Sequence, residues 1–389
     1  MNPNRRHFIR AALATGLCPV LLPSKSHAAE AAYQPLSRQT ARKDLAERVG
    51  TTLVAGKYQL TDEPALIEGA KRMLAMGTRV GKFWFEPGRE RSDYPFHSKW
   101  PEIGSLVDLA RSPYWNEVFQ MPFSTLMLIA HGRAEAGWQE KEAGNTAFYQ
   151  GITSAFESLT RQLYQDHGSR DLTIILQNWE GDWQIRGTGE LWGTPPENWK
   201  TLCDCFARRL AARQLGVNRG RATAPPGSKL RVLHAAEVNR VTDQWKGIPT
   251  MTEHVLPQVE VDLVSYSCYD AMKDGATLHK AIETVRRFAK TTGPAGPGAV
   301  YLGEIGIPEN VAKDRIAERW DDLLGAAFSA KALYIAQWQL YCNELNPKFA
   351  PHPKIPIHEE WRLRGFWLVK PDGSLTETGK FFSLLWAPR

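Results

Sequence analysis

Eight short apolar runs, each followed by a helical pattern, constrain the fold of this chain most strongly. The runs are rich in β-branched and aromatic residues, and their apolar character is nearly continuous. Strands of that kind are buried on both faces, as in a parallel sheet covered by helices. The runs are TTLVAG from Thr51, TRVGKFWF from Thr78, FSTLMLIAHG from Phe123, LTIILQN from Leu172, LRVLHAAE from Leu230, VDLVSYS from Val261, AVYLGEIG from Ala299 and ALYIAQWQ from Ala332.

Longer stretches with helical periodicity separate these runs. Helices are predicted over residues 63–76, 146–167, 196–215, 277–290 and 314–330. Eight strand–helix pairs in a chain of this length predict an α/β fold, a single-domain (β/α)8 TIM barrel. A doubly wound open sheet is the structural alternative, but it normally carries a glycine-rich phosphate loop after an early strand. The segment VAGKYQL, which follows the first run, contains no such loop.

The first residues of the chain have the pattern of an export signal. NRRHFIR from Asn4 places an arginine pair ahead of the apolar run 11–22, and SHAAE from Ser26 offers small residues to a signal peptidase. That run is too short to span a bilayer stably. We therefore expect residues 1–29 to be a twin-arginine signal peptide and residues 30–389 to form the barrel. The twin-arginine translocase is the expected export partner, and the mature chain is expected to be periplasmic or secreted without a stable membrane anchor.

Charge and cysteine content exclude several classes of function. The chain has 48 Lys and Arg against 42 Asp and Glu, and four of the basic residues fall in the predicted signal. The remainder is close to neutral, which argues against nucleic-acid binding. Twin-arginine export carries proteins already folded in the reducing cytoplasm, so we expect no dependence on disulfides. The spacing of Cys203 and Cys205 does not suit a metal site, and the early strand lacks a His-x-His pair.

Acidic residues follow two of the predicted strands. The fourth run leads into Asn178, Glu180 and Asp182, and the seventh contains Glu304. The loops after the strands of such a barrel form one open face, so Glu180 and Glu304 face each other across its mouth. Glycoside cleavage needs this combination: one carboxylic acid protonates the leaving oxygen, and one carboxylate meets the developing oxocarbenium ion.

The arrangement resembles the retaining glycoside hydrolases of clan A, the (β/α)8-barrel enzymes that include cellulases, β-galactosidases and β-xylosidases. In that family the acid/base glutamate follows strand four behind an asparagine, and the nucleophile glutamate ends strand seven. QNWEGDW supplies Asn178 and Glu180, and GEIG supplies Glu304. The closing segment GFWLVKPDGSLTETGKFF is similar to the last strand–turn–helix segment of several of these families. The resemblance implies that Glu180 is the acid/base, that Glu304 is the nucleophile, and that no metal or cofactor is needed.

The resemblance also implies a set of substrate-binding residues. Either Tyr266 or Tyr269 would hydrogen-bond the nucleophile, and Trp338 would form the floor of the sugar site. Trp84 and His131 fall where such enzymes line the pocket.

Other residues near the strand ends have both a functional and a purely structural interpretation. Indole rings stack on sugars but also fill large cores, and those in question are Trp84, Trp179, Trp183, Trp192 and Trp338. Glu237 and Asn239 close the fifth run as a second candidate acid with a neighbouring amide, unless Glu237 simply pairs with Arg240. Asp182 is either a substrate hydrogen-bonding group or a support for the site.

One departure from the family motif concerns Asn178. Trp179 separates Asn178 from Glu180, whereas the motif has the asparagine and the glutamate adjacent. Either the backbone bulges here or Asn178 is not the sugar-binding asparagine. Both alternatives leave Glu180 available for chemistry.

These observations predict an exported enzyme that cleaves a β-linked polysaccharide or oligosaccharide by a retaining double displacement. Two alternatives remain open: a non-catalytic carbohydrate-binding barrel, and an inverting hydrolase or lyase of the same fold. The sugar, the linkage and endo or exo action depend on loop shapes, which the sequence leaves open.

Overall fold

Eight parallel strands close into a barrel in the computed structural model, which describes residues 33–39, 43–135, 144–187, 195–312, 315–349 and 354–387. Each strand pairs with the next, and the last pairs with the first. Every one of the eight apolar runs supplies a strand, so the predicted (β/α)8 barrel is confirmed. The strands are β1 (Val49–Leu53), β2 (Val80–Phe85), β3 (Thr125–Ala130), β4 (Thr173–Gln177), β5 (Arg231–Val238), β6 (Leu263–Ser267), β7 (Val300–Ile305) and β8 (Ile335–Gln337).

Helices surround this barrel, and the five predicted ones are all present. The helix predicted over 196–215 begins at Trp199 and continues to Arg221. None of the described helices combines the length and the apolar character that a membrane span needs. The helices are α1 (Ala65–Met76), α2 (Glu90–Asp93), α3 (Leu106–Arg111), α4 (Pro113–Gln120), α5 (Thr146–His167), α6 (Gly181–Arg186), α7 (Trp199–Arg221), α8 (Met251–His254), α9 (Gly275–Phe288), α10 (Glu309–Ala312), α11 (Ile316–Ser329) and α12 (Glu377–Trp386).

The strand predicted from Val261 is interrupted. Val261 pairs in a separate two-stranded sheet, formed by Glu260–Val261 and Lys290–Thr291, and β6 begins only at Leu263. Asp262 lies between them, and its carboxylate accepts the backbone N–H of His234 at 2.8 Å. The predicted signal peptide and Trp192 lie outside the described residues. The described cysteines are all buried, and no disulfide joins any two of them: Cys203, Cys205, Cys268 and Cys342.

The inside of the barrel changes character along its axis. Near the amino ends of the strands it is filled by an apolar cluster. Because side chains alternate along a strand, the next inward position lies two residues further on. The inward side chains at this next position are polar or charged: Lys82 follows Val80, Gln177 follows Ile175, Glu237 follows Ala235 and Ser265 follows Leu263. The cluster consists of Val80, Met127, Ile175, Leu233, Ala235, Leu263, Ala299, Tyr301 and Ala336.

Strand β7 has a bulge at Gly303, and this bulge directs Glu304 into the barrel. Tyr301 faces the interior, so strict alternation would turn Glu304 to the outer face. One extra residue on β7 reverses the alternation, and Glu304 then points inward. The pairs that flank the bulge are Tyr266 with Leu302 and Ser267 with Glu304.

Candidate active site

Glu180 and Glu304 converge on one hydroxyl group. Glu180 lies between β4 and α6, and Glu304 lies near the end of β7. The Oγ of Ser267, the last residue of β6, is 2.6 Å from Glu180 Oε1 and 3.5 Å from Glu304 Oε2. The gap between these two carboxyl oxygens therefore cannot exceed the sum of the two distances. Both residues are nearly buried, with 7% of Glu180 and 3% of Glu304 exposed.

A buried ammonium group lies beside Glu304. Lys82 projects from β2, and its Nζ is 2.9 Å from Glu304 Oε1, 2.9 Å from the carbonyl oxygen of Gly303 and 3.5 Å from Glu237 Oε2. Burial acts to lower the pKa of Lys82, but the carboxylates of Glu237 and Glu304 together raise it above its ordinary value. Lys82 is therefore charged. Lys82 is not among the residues singled out from the sequence, although it is the one charged residue of β2.

Glu237 lies beneath both glutamates and is fully buried on β5. Its Oε2 accepts hydrogen bonds from Gln177 Nε2 and Ser265 Oγ, each at 2.6 Å, and its Oε1 accepts the backbone N–H of Glu180 at 3.1 Å. A Cβ on Gly303 would lie 2.2 Å from Glu237 Oε2, so only glycine lets β7 approach this closely. Glu237 thus links the strands that carry Glu180 and Glu304.

Burial raises the pKa values of both converging glutamates, and Lys82 makes the two values differ. Burial raises the pKa of Glu180 well above its ordinary value, and the neighbouring Glu304 raises it further. Burial also raises the pKa of Glu304, to about 7, but here the Lys82 ammonium opposes the shift. Two acids this close titrate as a pair, and the one beside the ammonium ionises first. The first negative charge therefore belongs on Glu304, while Glu180 keeps its proton.

Of the two candidate tyrosines, the structure brings Tyr269 to Glu304. The Tyr269 hydroxyl is 3.4 Å from Glu304 Oε2, and its ring contacts Phe366 edge-on. The Tyr266 hydroxyl instead donates to Asp270 Oδ1 at 2.6 Å. The choice left open by the sequence is therefore settled by position in favour of Tyr269 as the neighbour of Glu304.

Two of the predicted tryptophans lie together on the same side as Lys82. The rings of Trp84 and Trp338 meet edge-on with centroids 5.6 Å apart, and Lys82 Nζ is 5.5 Å from the Trp84 centroid. Trp338 Nε1 donates to Glu344 Oε1 at 3.3 Å, which holds the indole in place. The side chain of Trp84 is half-buried. These two rings form an aromatic surface beside Lys82.

His131 follows β3 and contacts Glu86. Its Nδ1 lies 3.6 Å from Glu86 Oε2. Burial lowers the pKa of His131, so the imidazole is neutral at physiological pH. No described contact joins His131 to Glu180 or Glu304, and its substrate-binding role stays a prediction.

The amide of Asn178 binds the backbone of β5. Its Oδ1 accepts the N–H of Glu237 at 2.9 Å, and its Nδ2 donates to the carbonyl of Glu237 at 3.1 Å. Strand β4 ends at Gln177, so the segment from Asn178 to Glu180 is not extended strand. This early end accommodates the additional residue Trp179. Both polar atoms of the Asn178 amide are engaged within the protein, and its sugar-binding role stays a prediction.

Asp182 and Asn239 hold the start of α6 against the end of β5. The carboxylate of Asp182 accepts the backbone N–H groups of Asn239 at 3.1 Å, Arg240 at 3.3 Å and Met251 at 2.7 Å. Asn239 Oδ1 accepts the backbone N–H of Asp182 at 3.0 Å. These reciprocal contacts fix the loop that carries Glu180, so both residues support the site structurally.

The tryptophans on either side of Glu180 have different surroundings. Trp183 lies between two guanidinium groups, with Arg240 at 5.3 Å and Arg186 at 5.7 Å from its ring. Trp179 is half-buried, and its carbonyl accepts hydrogen bonds from the side chains of Asn178 and Gln184. Both indoles are half-buried, and Trp183 is engaged in cation–π contacts.

Comparisons with solved structures identify the same fold. No family model matches the chain, and no curated protein matches it. The chain is similar to the exo-β-1,4-mannosidase from Opitutaceae bacterium strain TAV5, with a TM-score of 0.53 and 13% identity over 92% of this chain and 61% of that one. It therefore spans about three-fifths of the mannosidase, and the likeness shows a shared barrel fold.

Two further structures align with lower scores. For the β-glucuronidase from Bacteroides uniformis the TM-score is 0.49 at 12% identity, covering 87% of this chain and 35% of that one. For the β-glycosidase from Pyrococcus horikoshii it is 0.48 at 11% identity, covering 82% and 83%.

Proposed function

We propose that this chain is a retaining glycoside hydrolase that cleaves a β-linked polysaccharide or oligosaccharide. The observation that carries the proposal is the contact of both Glu180 and Glu304 with Ser267 Oγ, at 2.6 and 3.5 Å. The two distances sum to less than the roughly 6.5–9.5 Å between the carboxyls of inverting enzymes, which leave room for a water, and this favours the closer spacing of retaining pairs. The spacing suits direct attack by one carboxylate, as in retaining pairs.

The order in which Glu304 and Glu180 ionise assigns their catalytic roles. The carboxylate of Glu304 attacks the anomeric carbon while Glu180 donates its proton to the leaving oxygen, which breaks the glycosidic bond and forms a glycosyl ester on Glu304. Glu180, now a carboxylate, takes a proton from a water whose oxygen attacks the anomeric carbon. The ester bond breaks, Glu304 recovers its charge, and Glu180 is protonated again.

Neighbouring groups support these roles. The Tyr269 hydroxyl lies 3.4 Å from Glu304 Oε2 and orients that carboxylate. Trp338 and Trp84 form an aromatic surface on which the C–H face of a sugar ring can stack. The mannosidase that shares the barrel acts on a β-linked sugar by its name, which is in line with this proposal.

A screen of purified mature protein against aryl β-glycosides and β-linked polysaccharides tests the proposal. We expect turnover by the native protein, and we expect Glu304→Gln to abolish it while sugar binding measured by calorimetry persists. Proton NMR of the first product should show the β anomer. An α product would contradict the retaining mechanism, and binding without any turnover by the native protein would favour a non-catalytic carbohydrate-binding barrel.

We also propose that the chain is exported by the twin-arginine translocase. The proposal depends on the Asn4–Arg10 motif and is compatible with the described cysteines, which are buried and form no disulfide among themselves. Cell fractionation should find the native protein in the periplasm or medium. A variant with both Arg5→Lys and Arg6→Lys should stay in the cytoplasm, and export of that variant at the native level would contradict the proposal.

A further inference from the structure

The carboxylate of Glu237 is surrounded by hydrogen-bond donors. All four groups around its carboxylate are donors: the Gln177 amide, the Ser265 hydroxyl, the backbone N–H of Glu180 and the Lys82 ammonium. The Gln177 amide is held at both ends, because its Nε2 lies against Glu237 and its Oε1 accepts the hydroxyl of Tyr301. Neither the Lys82 ammonium nor the backbone N–H of Glu180 can receive a proton from this carboxyl. Glu237 is thus not a second catalytic acid.

Lys82 is shared between this anion and Glu304. Its Nζ lies 2.9 Å from Glu304 Oε1 and 3.5 Å from Glu237 Oε2, and the side chain has no solvent exposure. A buried ammonium without a counter-ion is destabilised by several kcal/mol. In the proposed reaction Glu304 becomes an ester and loses its charge. Lys82 would then lack a partner if Glu237 were absent.

We propose that Glu237 is a standby counter-ion, meaning that it keeps Lys82 charged while Glu304 is esterified in the covalent intermediate. The charged Lys82 then stabilises the Glu304 carboxylate as it departs in the second step. Both residues act through Glu304 and are positioning residues. The proposal rests on the proposed function, since it concerns the same glycosyl ester. Atoms and charges balance as before, because neither Lys82 nor Glu237 gains or loses a proton during the cycle.

The charged groups around Glu304 determine how its pKa should shift when one of them is removed. Lys82 from β2 lowers the pKa of Glu304, whereas Glu237 from β5 and Glu344 from the segment after β8 raise it. Glu180 and Tyr269 also face it, the first across Ser267 and the second at 3.4 Å. Removing the ammonium and removing the standby anion must therefore move the proton affinity of Glu304 in opposite directions.

The kinetic test compares the two steps of the reaction. With an aryl glycoside that carries a dinitrophenyl leaving group, the second step limits turnover in retaining enzymes. Without this counter-ion Lys82 gives up its proton while Glu304 is esterified, and the neutral amine no longer stabilises the departing carboxylate. We therefore expect Glu237→Gln to lower kcat by about tenfold or more and to lower KM with it, with a full pre-steady-state burst of phenolate, because the ester accumulates. Glu237→Asp, which keeps the charge, should restore most of kcat. Equal slowing of the burst and of steady turnover would overturn the proposal.

An activity-independent measurement separates this inference from the proposed function. Carboxyl carbons of labelled glutamates can be titrated by NMR in the unliganded protein. Lys82→Met should raise the pKa of Glu304, and Glu237→Gln should lower it. Glu68 is a buried glutamate on α1, and the control variant Glu68→Gln should leave the pKa of Glu304 unchanged. Shifts in the same direction, or none, would overturn the charge-sharing inference even if turnover is found. Opposite shifts in a protein without turnover would leave the arrangement supported and the hydrolase proposal refuted.

Discussion

The lower and upper halves of the barrel interior are built by the same strands but have opposite chemistry. The lower half is an apolar cluster that includes Val80 and Ile175, and the upper half contains Lys82, Glu237 and Glu304. Only two residues along a strand separate the two levels. The two halves therefore have different roles. The lower half stabilises the fold by excluding water. The upper half holds charged groups whose burial costs stability but shifts their pKa values towards those that catalysis needs.

After the loss of turnover in Glu304→Gln, the largest expected effect comes from Glu180→Gln in the upper half. This variant cannot donate a proton, so kcat/KM should fall by roughly 10²–10⁴-fold for substrates with poor leaving groups. Dinitrophenyl glycosides need no protonation, and their first step should be almost unaffected. Steady-state and burst kinetics on the two substrate types check this. Equal losses on both would show that Glu180 is not the acid.

Lys82→Met should be strongly destabilising. It leaves the carboxylates of Glu237 and Glu304 buried without their cation, at a cost of about 3–5 kcal/mol in the free energy of unfolding. The double variant Lys82→Met with Glu237→Gln removes one charge of each sign and should recover much of that loss. Denaturant unfolding of the two single variants and the double variant gives the coupling energy. Additive losses would contradict a functional ion pair.

Ile175→Ala tests the lower half with a change of similar size. It removes apolar volume from a closely packed cluster and should cost about 2–4 kcal/mol in the free energy of unfolding. The pH dependence of activity should not move, since no charge changes. A shifted pH profile in Ile175→Ala would show that the two halves are not independent.

The most gradual expected effect is a pH-dependent difference in stability between Glu304→Gln and the native protein. Burial raises the pKa of Glu304 to about 7 in the folded state, so the folded protein binds the proton more tightly than the unfolded chain. Its contribution is fully present below the ordinary pKa of glutamate and is lost as pH rises towards 7. Relative to the native protein, Glu304→Gln should gain up to about 1.4 kcal/mol per pH unit across that window.

Unfolding experiments from pH 4 to pH 8 measure this difference. Ile175→Ala provides the control, because its deficit should be the same at every pH. A pH-independent difference for Glu304→Gln would indicate that Glu304 titrates alike in the folded and unfolded chains.

The barrel and its two principal glutamates were predictable from the sequence for a simple physical reason. Strands buried on both faces read as continuous apolar runs, and the ends of parallel strands meet at one face. Glu180 and Glu304 needed only those two rules. Their approach to a common hydroxyl was not predictable, because it depends on the bulge at Gly303 and on the early end of β4.

The supporting residues were harder to predict because their roles depend on pairing across the barrel. A lysine in a strand carries no sign of its partners, and only barrel closure brings Lys82 to Glu237 and Glu304. Asn178 and Asp182 carry the right functional groups for sugar binding, yet their hydrogen bonds go to the backbone of neighbouring segments. Residue type predicts what a side chain can bind, whereas the fold decides which partner it reaches.

Trapping of the covalent intermediate tests the central claim most directly. A 2-deoxy-2-fluoro β-glycoside with a dinitrophenyl leaving group slows both steps but keeps the first one faster, so a glycosyl ester accumulates on the nucleophile. Peptide mapping by tandem mass spectrometry should find one fluoroglycosyl group on Glu304, and none in Glu304→Gln. A label on Glu180 or Glu237, or inverted product with no label, would contradict the account.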